Sequence, residues 1–312
     1  MKGQQIKIVI IGGNGFIGSH FTAEAVDRGH QVVVCELSDT PPRYAHGRPY
    51  ELIEGGIDAL ISCFDDLSDV DIVCHFASST TPATSNVNPA RDIEENLVRN
   101  ILLLEKMRSV GKKRILYLSS GGAIYGTPQY TPIDEEHPQC PLSSYGIVKG
   151  AMERYLELYS VLYGFQSAIV RPSNPYGPGQ NLNSHVGVIL AFLDCVRRRV
   201  PLTMYGNGSI IRDFVYVSDL VSLMIDIVEQ GVCGTFNCGH GEGVSLRQLA
   251  NIVSEVTGSK LEIHHEPARS FDPMIVLLDI KRAKERVGWV PSVTLVEGIR
   301  KTWDVLIGTE RK

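Results

Sequence analysis

Residues 6–11, IKIVII, form a short β-branched run that stops at glycines. Apolar positions then recur at helical spacing through residues 16–28, and Gly29 ends that stretch. Residues 31–36, QVVVCE, form a second β-branched run that closes on an acid. Strand, helix and strand within about thirty residues make a βαβ unit, and such units build parallel sheets. Further strands are expected at residues 50–54, 71–76, 114–119 and 167–171, with long helices at 93–109 and 145–163. Several strands are apolar almost throughout, which suits a sheet covered on both faces. The texture changes after Arg171. The stretch RPSNPYGPGQ is dense in Pro, Gly and Asn and reads as a long ordered loop. Beyond it the pattern predicts helices at 186–198, 219–229 and 245–257 and short strands at 202–205 and 214–217. The expected architecture is α/β: a Rossmann-like, doubly wound parallel sheet in residues 1–173, with a smaller, mostly C-terminal lobe in residues 174–312. The chain is expected to cross back once, because GTFNCG at 234–239 fits another strand of the large sheet.

Composition adds bounds. The chain has 312 residues and is 43% hydrophobic, enough to bury a sizeable core. Its formal net charge is −5, without a basic tail, so a nucleic-acid partner is not expected. The seven cysteines contain no C-x-x-C pair and read as reduced thiols. The first residues run directly into a strand, and no apolar run reaches the length of a membrane span. A cytoplasmic protein without membrane attachment is expected.

The loop GGNGFIG is the first candidate for chemistry. It satisfies both Gly13-x-Gly15-x-x-Gly18 and Gly12-x-x-Gly15-x-x-Gly18. Either spacing offers a tight turn, close backbone approach to a pyrophosphate, and a helix N-terminus whose free N–H groups favour phosphate. The cofactor candidates here are Gly12, Gly15, Phe16, Ile17 and Gly18. Glu36 ends the second strand, where a carboxylate accepts both hydroxyls of an adenosine ribose and repels a 2′-phosphate. That favours NAD over NADP. Asp58 is a further acid expected near the adenine.

The stretch SSYGIVKG places Tyr145 and Lys149 four residues apart, on one face of a helix. A phenol with a pKa near 10 is a poor base at neutrality unless a nearby cation favours the phenolate. Lys149 and a positive nicotinamide ring would both help.

With GGNGFIGSH, HFAS at 75–78, EEN at 94–96, SSGGAIYG, SYGIVK, RPSNPYGPGQ, GNGSIIRDFVYVSD at 206–219 and RVGWVP at 286–291, the chain resembles the extended short-chain dehydrogenase/reductase family, in its nucleotide-sugar epimerase branch. The resemblance implies that Tyr145 is the base and that Lys149 holds the nicotinamide ribose. Ser119 would join the cofactor set, and Asn96 would support the active-site backbone. Asn174, Arg212 and, on a looser match, Arg269 would lie along the nucleotide sugar, which by the same resemblance is a UDP-sugar. A homodimer built on the two long helices is also implied.

One position departs from that pattern. The family carries Ser or Thr where this chain has Gly121, and the hydroxyl contacts the sugar hydroxyl being oxidised. Ser120 fills the role from one residue away, or water fills it, or the role is lost. A one-residue displacement on a strand reverses side-chain direction, which counts against Ser120 unless the strand has ended. The small residues Gly121, Gly122 and Ala123 read as room beside the reacting carbons. They also lack the acids that dehydratases and decarboxylases of the family carry there. The expected reaction is therefore C4 epimerisation of a nucleotide sugar through a 4-keto intermediate. A 4-reductase or dehydrogenase that releases its cofactor is the alternative enzyme. A non-catalytic protein that binds NAD and a nucleotide sugar is the third reading. His75 and His185 stand in no compact His/Cys/acid cluster, so no metal site is expected.

Overall fold

A computed structural model of the chain describes residues 5–44, 47–67, 69–182, 187–267 and 273–308. Strands β1 (Lys7–Ile11), β2 (Gln31–Glu36), β3 (Glu51–Glu54), β4 (Ile72–His75), β5 (Arg114–Leu118) and β6 (Gln166–Pro172) belong to a seven-stranded sheet. After β7 (Asn174–Tyr176), β8 (Leu202–Tyr205) and β9 (Ile211–Tyr216), the chain re-enters that sheet as β10 (Gly234–Cys238). The order is β10-β6-β5-β4-β1-β2-β3, and each neighbouring pair is parallel. The order reverses between β1 and β4, and a doubly wound sheet places ligands outside the carboxyl ends of its strands at such a point.

Side chains alternate across the sheet with period two. Val9, Ile11, Val33, Val73 and Ile115 face helices α2 (Gly56–Cys63), α4 (Arg99–Ser109) and α5 (Ser144–Tyr163), whose Leu60, Leu104 and Leu156 share their core. Ile8, Ile10, Val32, Leu116 and Val170 face the other way. There they pack with Phe21 of α1 (Phe16–Asp27) and with Leu220 and Met224 of α7 (Val217–Gln230). Both faces are thus sealed, as the unbroken apolar strands require.

The helix expected at 93–109 is compound. A short α3 (Pro89–Ile93) leads into a π-helical turn at Glu94–Val98, and α4 follows. Asn88 caps α3 by accepting the Arg91 N–H. A π turn inserts one residue and re-aims its neighbours, and such turns are frequent at functional sites. The turn's buried side chain is Asn96.

The second lobe departs most from the expected pattern. The stretch RPSNPYGPGQ is not wholly loop: β6 runs on to Pro172, and β7 pairs in parallel with β9. The Asn174 side chain donates to the Asp213 carbonyl at 2.8 Å, so a three-residue strand is held by side chain as well as backbone. Strand β9 also pairs with β11 (Gly243–Ser245) and β13 (Ile275–Val276), while β8 pairs with β12 (Ile263–Glu266). Helices α6 (Val188–Arg198), α8 (Leu246–Thr257), α9 (Lys281–Val287) and α10 (Leu295–Gly308) complete the lobe. The motif RVGWVP latches it to α7. Trp289 donates to the Asp219 carbonyl at 3.0 Å, and the Asp219 carboxylate accepts the Val293 N–H at 3.0 Å. Among the described residues no helix is long and apolar enough to cross a membrane.

Under the carboxyl ends lies a buried polar cluster. Arg171 of β6 meets Glu153 of α5 through two bonds of 2.6 and 3.1 Å, with both side chains sealed from water. It also donates to the Tyr125 hydroxyl at 2.8 Å, and Tyr125 donates to Asn237 of β10 at 2.8 Å. Removing one partner of a buried pair strands the other charge. Arg171→Met should therefore cost about 3–5 kcal/mol in urea unfolding, and the double variant Arg171→Met/Glu153→Leu should recover much of that loss.

Candidate active site

The glycine loop is shaped by contacts no side chain could share. Gly12 has φ +81°, and a Cβ there would lie 2.8 Å from the Ala77 nitrogen at the end of β4. A Cβ at Gly18 would collide with the Gly12 carbonyl oxygen, so α1 packs onto the turn only with glycine there. At Gly15, the N-cap of α1, the Gly12 carbonyl oxygen at 3.2 Å is the atom nearest a Cβ among the described residues. The position is otherwise open to an approaching group. Phe16 and Ile17 form the first turn of α1, whose N–H groups point out of the helix end. A Cβ at Gly13 would lie 2.7 Å from the Val34 side chain, so this position too is closed to a side chain.

Glu36 sits beside this loop. One carboxylate oxygen accepts the Asn14 N–H at 3.2 Å and the other the Leu37 N–H at 3.0 Å. A carboxylate has about four acceptor sites, so capacity remains for two hydroxyls. Asn14, which the sequence reading did not single out, ties the loop down. Its amide donates to the Thr40 carbonyl at 2.6 Å and accepts from Tyr50 at 2.9 Å. A cradle that excludes Cβ atoms, followed by an anchored carboxylate, fits an NAD-type dinucleotide. Asp58 lies in the first turn of α2, exposed, with Arg99 at 3.5 Å.

Tyr145 and Lys149 stand in the first two turns of α5, whose start is capped by the Ser143 side chain accepting the Gly146 N–H. Lys149 is buried and donates to the Leu118 carbonyl at 2.7 Å. Its ammonium lies 4.6 Å from the Tyr117 ring centroid and 5.7 Å from that of Tyr145. Burial lowers the Lys149 pKa to about 8, against the raising effect of Glu153 and Asp92. Burial raises Tyr145 to about 12; a hydrogen bond from Ser120 opposes this, and the charge of Asp92 adds to it. The Ser119 hydroxyl is buried without a protein partner, beside the carbonyl that holds Lys149.

Ser120 and Gly121 stand in different surroundings. Strand β5 ends at Leu118, so strict alternation no longer governs residue 120. Ser120 lies near enough to Tyr145 to lower its pKa against the effect of burial. Gly121 is buried elsewhere. Its N–H donates to the Pro172 carbonyl at 2.8 Å, and a Cβ would meet Leu278 at 2.7 Å and the Arg171 carbonyl at 3.0 Å. The expected room at Gly121 is therefore absent: Leu278 fills it, within a small core with Ile124, Tyr125, Ile133 and Val276.

Asn96 faces the loop after β4. Its amide oxygen accepts the Ser79 N–H at 3.0 Å, and its amide nitrogen donates to the Ser79 hydroxyl at 2.8 Å and to Asp92 at 2.9 Å. Asn174 bridges β7 and β9. The Arg212 guanidinium is held by the Ile211 and Pro273 carbonyls at 2.9 and 2.8 Å. Arg269 and His185 lie outside the described residues.

A profile of the NAD dependent epimerase/dehydratase family matches residues 8–239. A putative UDP-glucose 4-epimerase from Methanocaldococcus jannaschii is 34% identical over 295 residues, covering 94% of this chain and 96% of its own. A dTDP-4-dehydro-6-deoxyglucose reductase from Escherichia coli is 31% identical over 310 residues, covering 96% and 98%. Among solved structures, UDP-glucose 4-epimerase from Thermotoga maritima with UDP-glucose has a TM-score of 0.90 at 32% identity, covering 98% of this chain and 100% of that one. The Thermus thermophilus UDP-glucose 4-epimerase in complex with NAD has a TM-score of 0.88 at 30% identity, covering 97% and 99%.

The Gly121 contacts define a test. Gly121→Ser should destabilise the protein by about 1–3 kcal/mol, since the new Cβ must displace Leu278 and press on backbone carbonyls. A thermal midpoint equal to that of the wild type would contradict this packing.

Proposed function

The chain belongs to the NAD dependent epimerase/dehydratase family, and we propose that within it the protein epimerises a UDP-sugar at C4. The carrying observation is the placement of Tyr145 and Lys149 on the first two turns of α5, with Lys149 buried and held by the Leu118 carbonyl at the end of β5. The glycine cradle and Glu36 would hold NAD, as they suit a dinucleotide and its ribose. When bound, the dinucleotide supplies a reversible hydride acceptor, so the net reaction consumes no oxidant. In this reading Tyr145 takes the proton from the sugar C4 hydroxyl and later returns it. Ser120 positions that hydroxyl, and Lys149 favours the phenolate by its charge while contacting the cofactor ribose. Asn174 and Arg212 lie along the nucleotide, with guanidinium suited to phosphate oxygens. Gly122 and Ala123 place no acid near the sugar, so dehydration is not supported. The likeness to a reductase favours one second reading, a 4-reductase that exchanges its cofactor.

Purified protein should retain dinucleotide and interconvert a pair of UDP-sugar C4 epimers without added NAD. Stoichiometric NADH with a released keto product would favour the dehydrogenase reading instead, and binding without turnover the non-catalytic one. Tyr145→Phe should lower turnover by roughly 10²-fold or more while both ligands still bind. Ser120→Ala should slow hydride transfer about five- to a hundredfold, the size of a positioning bond.

The dimer is proposed on the outer faces of α4 and α5. Leu103, Leu104, Met152 and Leu156 are buried in the sheet's cover, whereas Leu102, Leu158, Val161 and Leu162 are exposed. Paired across a two-fold axis, such faces would be covered. Sedimentation equilibrium at micromolar protein should give twice the chain mass; a single monomeric mass would end the proposal.

A further inference from the structure

Asp92 is fully buried, yet it forms no ion pair among the described residues. Its carboxylate accepts from three neutral donors: the Thr80 hydroxyl at 2.7 Å, the Asn96 amide at 2.9 Å and the Ser144 hydroxyl at 2.6 Å. These come from three separate places, namely the loop after β4, the π-helical turn, and the first residue of α5. Ser144 immediately precedes Tyr145, and its N–H is held in turn by the Asn86 side chain at 2.9 Å. A buried carboxylate without a cation is costly. Neutral groups could join the same three segments at less cost, so its retention at this point calls for a role that uses the charge.

We propose that Asp92 is a positioning residue of this site, which locks the 79–80 loop, the π turn and the start of α5 into one register so that Tyr145 and Lys149 keep their places and Lys149 its proton. The proposal rests on the reading of Tyr145 and Lys149 as the reacting pair. Its tests are chosen to stand apart from turnover. Around Lys149 the titratable groups are Glu153 and Tyr145 on α5, Tyr117 on β5, His75 on β4 and Asp92 on α3. Tyr117 is pushed well up by burial, and His75 is pushed down to about 4 by burial and by Lys149, so both are neutral near pH 7. Glu153 is bound to Arg171, whose charge offsets its own. Asp92 has no cation bonded to it among the described residues, and with Glu153 it raises the Lys149 pKa.

An anion near Lys149 raises the lysine pKa, so removing the anion lowers it. In unliganded protein labelled with ¹³C-lysine, the Lys149 signal, assigned by its loss in Lys149→Met, should titrate near 8. Asp92→Asn should move that midpoint down by on the order of one pH unit, as expected for one charge removed across a protein interior. Ser144→Ala cuts only the tether. It should leave the Lys149 midpoint in place while shifting or broadening the Tyr145 ring signal, and it should slow single-turnover hydride transfer about tenfold with unchanged affinity for NAD and sugar. An Asp92→Asn midpoint that coincides with the wild type overturns the electrostatic role. An unaltered Tyr145 signal in Ser144→Ala overturns the positioning role, and it does so even if Asp92→Asn fails to fold. Because neither NMR measurement needs substrate, both would still decide the role of Asp92 if the epimerase reading failed.

Discussion

The buried pairing of Arg171 with Glu153 is the contact on which the rest of the site depends. Two charges sealed from water hold together only when nearly every donor and acceptor is used. Here the guanidinium also reaches Tyr125 and the Glu135 carbonyl, while Glu153 accepts from Gln139. That one centre ties α5 to β6, and through Tyr125 and Asn237 to β10. Glu153 lies one turn beyond Lys149 on the same helix, so the register that satisfies the ion pair also fixes the height of Lys149 beside Leu118. The geometry of the candidate site is inherited from a structural pair beneath it.

The glycine at residue 121 follows from a packing constraint of the same kind. Residues 276–278 run from the smaller lobe to the end of β5, where Ile133 and Leu278 bridge and Leu278 enters the slot at Gly121. A side chain at 121 would close that slot. The preceding residue, Ser120, carries a hydroxyl and lies beyond the last residue of β5.

Much of the large sheet was legible because its strands are buried on both faces and their apolar runs stop where pairing stops. The segment 31–36 matched β2 at both ends, and the strand expected within 234–239 is β10. The loop GGNGFIG was legible as well, since only glycine fits its contacts. Other features depend on partners far away in the chain. Asn174 makes a strand of what composition marks as loop, by bonding to Asp213. The π turn at 94–98 is not given by a 3.6-residue period, which assumes that no residue is inserted. Asp92 reads as one more acid on a helix until Thr80 and Ser144 fold onto it, although its spacing of four from Asn96 was a usable signal. The direction of Ser120 could not be read because it turns on where β5 ends.

The return of the chain as β10 bears on how the protein is made. Strand β6 is complete at Pro172, but its outer neighbour begins only at Gly234, after β7, α6, β8, β9 and α7 have been synthesised. At roughly 5–20 residues per second, the nascent chain spends several seconds with that edge open. An open strand edge is a template for a stranger's strand. Asn237, buried in the middle of the late-arriving segment, has Tyr125 and the Ile133 carbonyl as its partners, and neither is provided by another chain's edge. The ribosome thus releases the strand that closes the sheet with its own proof of identity built in.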